Sequence, residues 1–148
     1  MAEITVRPVE ILTLSDLGLL LDESLTEGYG FVQTLWDDYE SRKNRFDAGG
    51  AILLGAFDDG HLVGVGGVQS DPYLKRADVG RIRHVYVLHA YRRRRVGKRL
   101  LEALIEYAHG HFSLLTLRTQ TETAAAFYEA IGFDNQPIFP EATHFLRL

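Results

Sequence analysis

Val79-Gly80-Arg81-Ile82-Arg83-His84-Val85-Tyr86-Val87-Leu88, followed after three residues by Arg92-Arg93-Arg94-Arg95-Val96-Gly97-Lys98, is the stretch on which the fold turns. Its first ten residues are rich in β-branched and aromatic side chains, which predicts a long strand. Beyond the arginines, Val96, Leu100, Leu104 and Ala108 form a helical stripe with Leu101 and Ile105 beside it, ending near His109-Gly110-His111. Strand, basic loop and helix thus follow one another without a spacer. Such a junction leaves the first N–H groups of the helix unpaired at the positive end of its dipole, which suits an anion. Arg92, Arg93, Arg94, Arg95 and Lys98 add charge suited to several phosphates, and Gly97 lets the backbone approach closely. The alternative is a solvated charge run at a helix start. The P-loop pattern G-x-x-x-x-G-K-S/T is absent, Gly97-Lys98 being followed by Arg99 instead of a hydroxyl residue, and the dinucleotide fingerprint fails too, since no G-x-G-x-x-G opens the helix.

Upstream, the apolar runs Ala51 to Phe57 and Leu62 to Val68 flank the turn Asp58-Asp59-Gly60-His61 and predict a hairpin. Glu3 to Arg7 reads as a first or edge strand closed by Pro8. Leu14 to about Arg45 reads as two helices hinged at Gly28-Tyr29-Gly30. Downstream come a strand at Leu114 to Leu117, a helix from about Thr123 to Ala130 stopped by Gly132, and a strand at Thr143 to Leu146. Hairpins first and alternation afterwards predict a mixed α/β or α+β sheet, antiparallel at its start and covered by helices on both faces.

The 148 residues, 46% hydrophobic, match one domain spanning 1–148. With no cysteine there is no disulfide framework, thiol nucleophile or thiolate metal site. The start lacks the pattern of a signal peptide and no apolar stretch reaches membrane-spanning length, so a soluble cytoplasmic protein without a membrane partner is expected. A net charge of -4 and a single basic patch argue against nucleic acid.

At the basic loop the sequence resembles the GCN5-related N-acetyltransferase (GNAT) family. Arg92 to Gly97 matches that family's Q/R-x-x-G-x-G/A motif except at Arg95, which adds a Cβ where the first glycine is usual. Val85-Tyr86-Val87 precedes the motif, and Phe127-Tyr128-Glu129-Ala130-Ile131-Gly132-Phe133 is similar to the FYEKLGF signature. The resemblance runs from the first strand to Ala142-Thr143-His144-Phe145. It implies a mostly antiparallel sheet with splayed central parallel strands, acetyl-CoA as co-substrate, no metal, and direct attack by a small-molecule or peptide amine in a ternary complex. A homodimer is common among relatives, and the alternative function is a non-catalytic acyl-CoA-binding sensor.

The resemblance also assigns residues. Main-chain groups of Val85, Tyr86, Val87 and of Arg92 through Val96, Gly97 and Lys98 would hold the cofactor. The Val87 N–H would stabilise the oxyanion, and Tyr128 would protonate the departing thiolate. Thr121 stands where many relatives have asparagine near the pantetheine arm. The glutamate base of histone-acetylating relatives is replaced by Arg81, so His84 becomes the leading base candidate, ahead of Asp71, Tyr86 and His144. Arg81 and Arg83 would either recognise an anionic group on the acceptor or pair with acids of the first helices. Asp22, Glu23, Glu27, Asp37 and Asp38 would either attract a cationic amine or be solvated.

Overall fold

The computed structural model describes residues 3–148. β1 (Ile4–Pro8) is followed by α1 (Leu14–Thr26) and α2 (Phe31–Glu40), then β2 (Ile52–Asp58), β3 (His61–Ser70) and β4 (Val79–Val87). After a 3₁₀ turn at His89–Tyr91 come α3 (Val96–His109), β5 (Leu114–Leu117), α4 (Glu122–Ile131) and β6 (His144–Arg147). The strands form one sheet in sequence order, antiparallel throughout except for the parallel pair β4 and β5. No helix among the described residues is long and apolar enough to cross a membrane.

Local chemistry sets the helix ends. Thr13 caps α1 by accepting the Asp16 N–H at 3.1 Å, and Thr121 caps α4 by accepting the Ala124 N–H at 3.2 Å. Gly132, at φ 127°, ends α4 in a conformation that side chains disfavour. The second helix stops at Glu40 rather than near Arg45. Past it, Arg42 and Phe46 take left-handed backbone, and the Phe46 ring folds over the sheet where a Cβ on Gly67 would come within 2.5 Å of it.

Two apolar layers sandwich the sheet. Leu100, Leu101 and Leu104 of α3 pack against one face, and Leu17, Leu20, Val32 and Leu35 of α1 and α2 against the other. Each such leucine, withdrawn fully from water, contributes on the order of 2 kcal/mol. Truncating Leu104 to alanine would cost about 2–5 kcal/mol and loosen α3 from the sheet.

Two irregularities of β4 prepare the site. Val65 pairs with Tyr86 but Gly67 with Arg83, so His84 and Val85 together oppose Gly66 in a β-bulge. His84 carries the bulge at φ 58°, a left-handed conformation in which histidine is one of the enriched residues. On its other edge β4 pairs with β5 only from Val79 to Arg81, opposite Leu114 to Thr116. Beyond Arg81 the two strands part.

Candidate functional site

The parting strands open a cleft of about 730 Å³, walled by β4, the loop after β5, the start of α4 and the loop between α1 and α2. The Leu88 N–H bonds to the Val63 carbonyl at 2.9 Å, so residues two apart along β4 address β3. By that alternation Tyr86 also faces β3, and Val85 and Val87 turn their N–H groups into the split. At the cleft's upper end α3 begins without any side-chain cap, which leaves the amides of Val96, Gly97 and Lys98 outward at the positive end of the helix.

The α3 N-cap is Arg95, at φ 60° and ψ 17°. This explains the glycine usual at that position: the turn demands left-handed backbone, which a Cβ makes unfavourable by about 1–2 kcal/mol. Arg95 is exposed, so the expected penalty of its Cβ lies in the backbone angle. The arginines of the run have different tasks. Arg92 is committed to the fold: its guanidinium reaches Glu27 at 2.5 Å, donates from Nε to the Val87 carbonyl at 2.9 Å and lies over the Tyr86 ring. Arg94 lies over Tyr91. Arg93, Arg95 and Lys98 are exposed and form no ion pair among the described residues. Gly97 faces Phe127, whose ring would lie 3.3 Å from an added Cβ.

Tyr128 is buried at the cleft wall, between Phe127 and Phe133. Burial alone raises its pKa, so the hydroxyl keeps its proton at neutral pH and is available as a donor. Thr121 also lines the cleft, and since its oxygen already accepts the α4 cap bond, its O–H is left to donate.

His84 is buried in the bulge, its ring edge-on to Phe46. Its Nδ1 lies 3.0 Å from the Phe31 carbonyl, which can only accept, so Nδ1 carries the proton and Nε2 has the free lone pair. Burial first, and the nearby Arg83 charge second, lower its pKa to about 4, leaving the ring neutral at pH 7.

The other base candidates have other work. Tyr86 donates its hydroxyl to Glu23 and Glu27, at 2.7 and 2.6 Å, and burial together with these carboxylates raises its pKa, so it does not act as a base. Asp71 is buried, accepting from Thr116 and from the Tyr73 and Leu74 amides, with Arg81 at 3.7 Å. His144 lies between Glu129 and Thr143. Glu23 and Glu27 do not steer an amine either: they hold Tyr86, Arg92 and the His89 amide, and Arg92 lowers the Glu27 pKa. Among the described residues, no aspartate or glutamate lines the cleft.

A family model described as Acetyltransferase (GNAT) family matches residues 19–133. The chain belongs to this family. Among its GNAT relatives, the N-alpha-acetyltransferase RimI of Mycobacterium tuberculosis is 32% identical over 84 residues, covering 54% of this chain and 50% of that protein. An uncharacterised protein of Mycobacterium leprae is 35% identical over 86 residues, 51% of this chain and 24% of that one. The matches thus span between a quarter and a half of the length of these curated relatives. A structure from Exiguobacterium sp. 255-15, assigned as an acetyltransferase, superposes with a TM-score of 0.83 at 27% identity over 98% of this chain and 93% of that one. A GNAT-family acetyltransferase from Staphylococcus aureus Mu50 shares the fold with a TM-score of 0.77 at 18% identity, covering 97% and 96% of the two chains.

Within this GNAT fold, sequence reasoning placed the Val85 to Val87 segment, the arginine loop, His84, Thr121 and Tyr128, and all of them line or border the one cleft. It missed the Phe31 carbonyl that fixes the His84 ring, 53 residues away in the chain. It missed the wall supplied by Gly28 to Phe31, whose glycines signalled only a hinge, and the commitment of Arg92 to Glu27.

Proposed function

We propose that the protein transfers an acetyl group from acetyl-CoA to an amine by direct attack while both substrates are bound. The observation that carries this reading is the split between β4 and β5, with the Val85 and Val87 amides turned into it and the uncapped start of α3 at its end. The amides of Val96, Gly97 and Lys98 suit the pyrophosphate of the coenzyme, with Arg93, Arg95 and Lys98 free to neutralise further phosphates. Arg92 serves through its main chain, since its guanidinium is taken. A pantetheine arm running down β4 from that loop meets Val87 before Val85. The order along the strand therefore favours Val85 N–H as the oxyanion donor and Val87 as a partner of the pantetheine amides, where the sequence alone suggested Val87 for the oxyanion.

In the transfer the amine lone pair attacks the thioester carbonyl carbon, an N–C bond forms and the C–S bond breaks. Alignment of the two bound substrates removes much of the entropic barrier. Tyr128 delivers its proton to the departing sulfur and regains one from water, and Thr121 donates to the pantetheine arm. His84, neutral with Nε2 open, accepts a hydrogen bond from the amine N–H and orients it. With a pKa of about 4 it holds the amine without storing its proton, which passes to water. The similarity to an N-alpha-acetyltransferase supports an amine acceptor, whether a small molecule or a peptide end.

A non-catalytic acyl-CoA sensor is the second reading, favoured by the absence of a carboxylate from the cleft. One experiment separates the two: thermal melting with and without acetyl-CoA, then thiol release against a panel of amines. Stabilisation with thiol release on an amine supports the transferase, stabilisation with no release across the panel supports the sensor, and no stabilisation contradicts both.

A further inference from the structure

The cleft's acceptor end carries more positive charge than the fold spends. In β4, Arg83 pairs with Gly67, whose missing Cβ would point at Phe46, so the Arg83 side chain lies on the α1 and α2 face of the sheet. Arg81, two residues earlier, shares that face. On β5, Thr116 opposite Arg81 turns its hydroxyl to Asp71 on the same side, and Arg118 follows two residues later. Arg81, Arg83 and Arg118 therefore flank the split where β4 and β5 part, and all three line the cleft beside the loop from Gly28 to Phe31. The expected pairing of Arg81 and Arg83 with acids of the first helices does not occur. Arg81 leans instead on the Asp71 carboxylate, the Glu141 carbonyl and the Tyr73 ring.

Three observations show that part of this charge is unspent. Arg83 forms no hydrogen bond or ion pair among the described residues. The Arg81 side chain is only 8% exposed, and its buried Nη1 has no hydrogen-bond partner, with Asp71 Oδ2 too far at 3.7 Å. Asp71 therefore compensates the Arg81 charge only in part. Finally, Arg118 is half exposed and bound only to an equally exposed Glu141, a pair that solvent screens and a ligand can displace. The carboxylates of Asp71 and Glu141 lie outside the cleft lining, and neither reaches Arg83 among the described residues.

Resting on the acetyltransferase reading, we infer that the acceptor is an amine that carries an anionic group, a carboxylate or a phosphate, and that Arg83, with Arg118 across the split, recognises this group. The bidentate fork of arginine matches both anions. Held there, the anion positions the amine beside His84, the next residue of β4, and toward Val85. Such recognition would also exclude plain alkylamines, whose only charge is repelled by the three guanidinium groups.

The test uses two matched pairs, phenylalanine with 2-phenylethylamine and phosphoethanolamine with ethanolamine. Binding is followed by calorimetry on the protein alone and with saturating coenzyme A. The expected result is that the anionic member of at least one pair binds about ten-fold tighter or more, the strength of a charge-assisted hydrogen bond. Which pair shows it tells carboxylate from phosphate. In Arg83→Met the preference should collapse to within about two-fold, while the acetyl-CoA affinity and melting temperature stay unchanged, and Arg83→Lys should keep part of it. Equal or weaker binding of the anionic member in both pairs, including no binding by either, overturns the inference, as does full preference in Arg83→Met. Because binding is read without turnover, a failure of thiol release would count against the transferase alone.

Discussion

The two ends of the cleft are built on different principles. At the phosphate end the working groups are main-chain amides: the start of α3 and the free edge of β4 present N–H groups whatever side chains they carry, provided Arg95 accepts a left-handed turn and Gly97 leaves room for Phe127. At the acceptor end the working groups are side chains drawn from separate elements: His84 fixed by Phe31, Arg81 fixed by Asp71 and Glu141, and Tyr128 buried in α4. The first construction tolerates a sequence full of arginines. The second fails when one side chain changes.

The sharpest way to break this contrast is Tyr128→Phe, which removes one hydroxyl at the acceptor end. We expect kcat to fall about 10³-fold with acetyl-CoA affinity unchanged; steady-state kinetics beside a binding isotherm would show whether both halves of that statement hold. A fall in affinity with kcat intact would place Tyr128 with the coenzyme instead.

Next in size is His84. Its pKa is depressed from 6.5 to about 4 in the fold, so between those pH values the unfolded chain binds the proton that the native ring refuses. Stability from this group is therefore complete above pH 6.5 and is lost as pH falls toward 4, by up to ~3 kcal/mol. His84→Asn keeps a residue that accepts left-handed backbone and removes the titration. Denaturant melts at pH 7 and 4.5 should show a smaller drop for the variant than for the parent, and equal drops would mean that the ring is not held neutral. Activity should show no inflection near pH 6.5, rising instead with deprotonation of the acceptor amine.

The arginine run offers a subtler separation. Replacing Arg93 and Lys98 by glutamine should weaken acetyl-CoA binding about ten-fold and flatten its salt dependence, without altering the melting temperature. Arg92→Gln should do the reverse, lowering the melting temperature by breaking the link from Glu27 to the Val87 carbonyl. The smallest expected effect is Arg95→Gly, which relieves left-handed strain and should stabilise the protein by up to about 1 kcal/mol, read as a higher midpoint in urea.

This difference between the two ends also explains what the sequence disclosed. Strand, loop and helix around Arg92 to Lys98 are local, so spacing and composition revealed them, and the six strands and four helices followed within a few residues. The bulge left no such trace, because His84 in a β-branched run looks like any strand residue. What makes it distinctive is Gly66 opposite and Phe31 above, contacts that only tertiary structure brings together. Arg92 was legible as part of a phosphate motif, yet its side chain answers to Glu27, 65 residues earlier. The acid-free lining of the cleft was hidden for the same reason, since Glu23, Glu27 and Asp71 are near in space but turned to other partners.

Acetyl-CoA binding along the free edge of β4 and at the start of α3 together is the step on which the proposed transfer depends most. Amide chemical shifts followed by NMR during an acetyl-CoA titration test it directly. We expect saturable shifts at Val85, Val87 and Val96 through Lys98, with Phe31 and the acceptor wall little changed. Shifts confined to the exposed arginine side chains, or none at saturating acetyl-CoA, would contradict it.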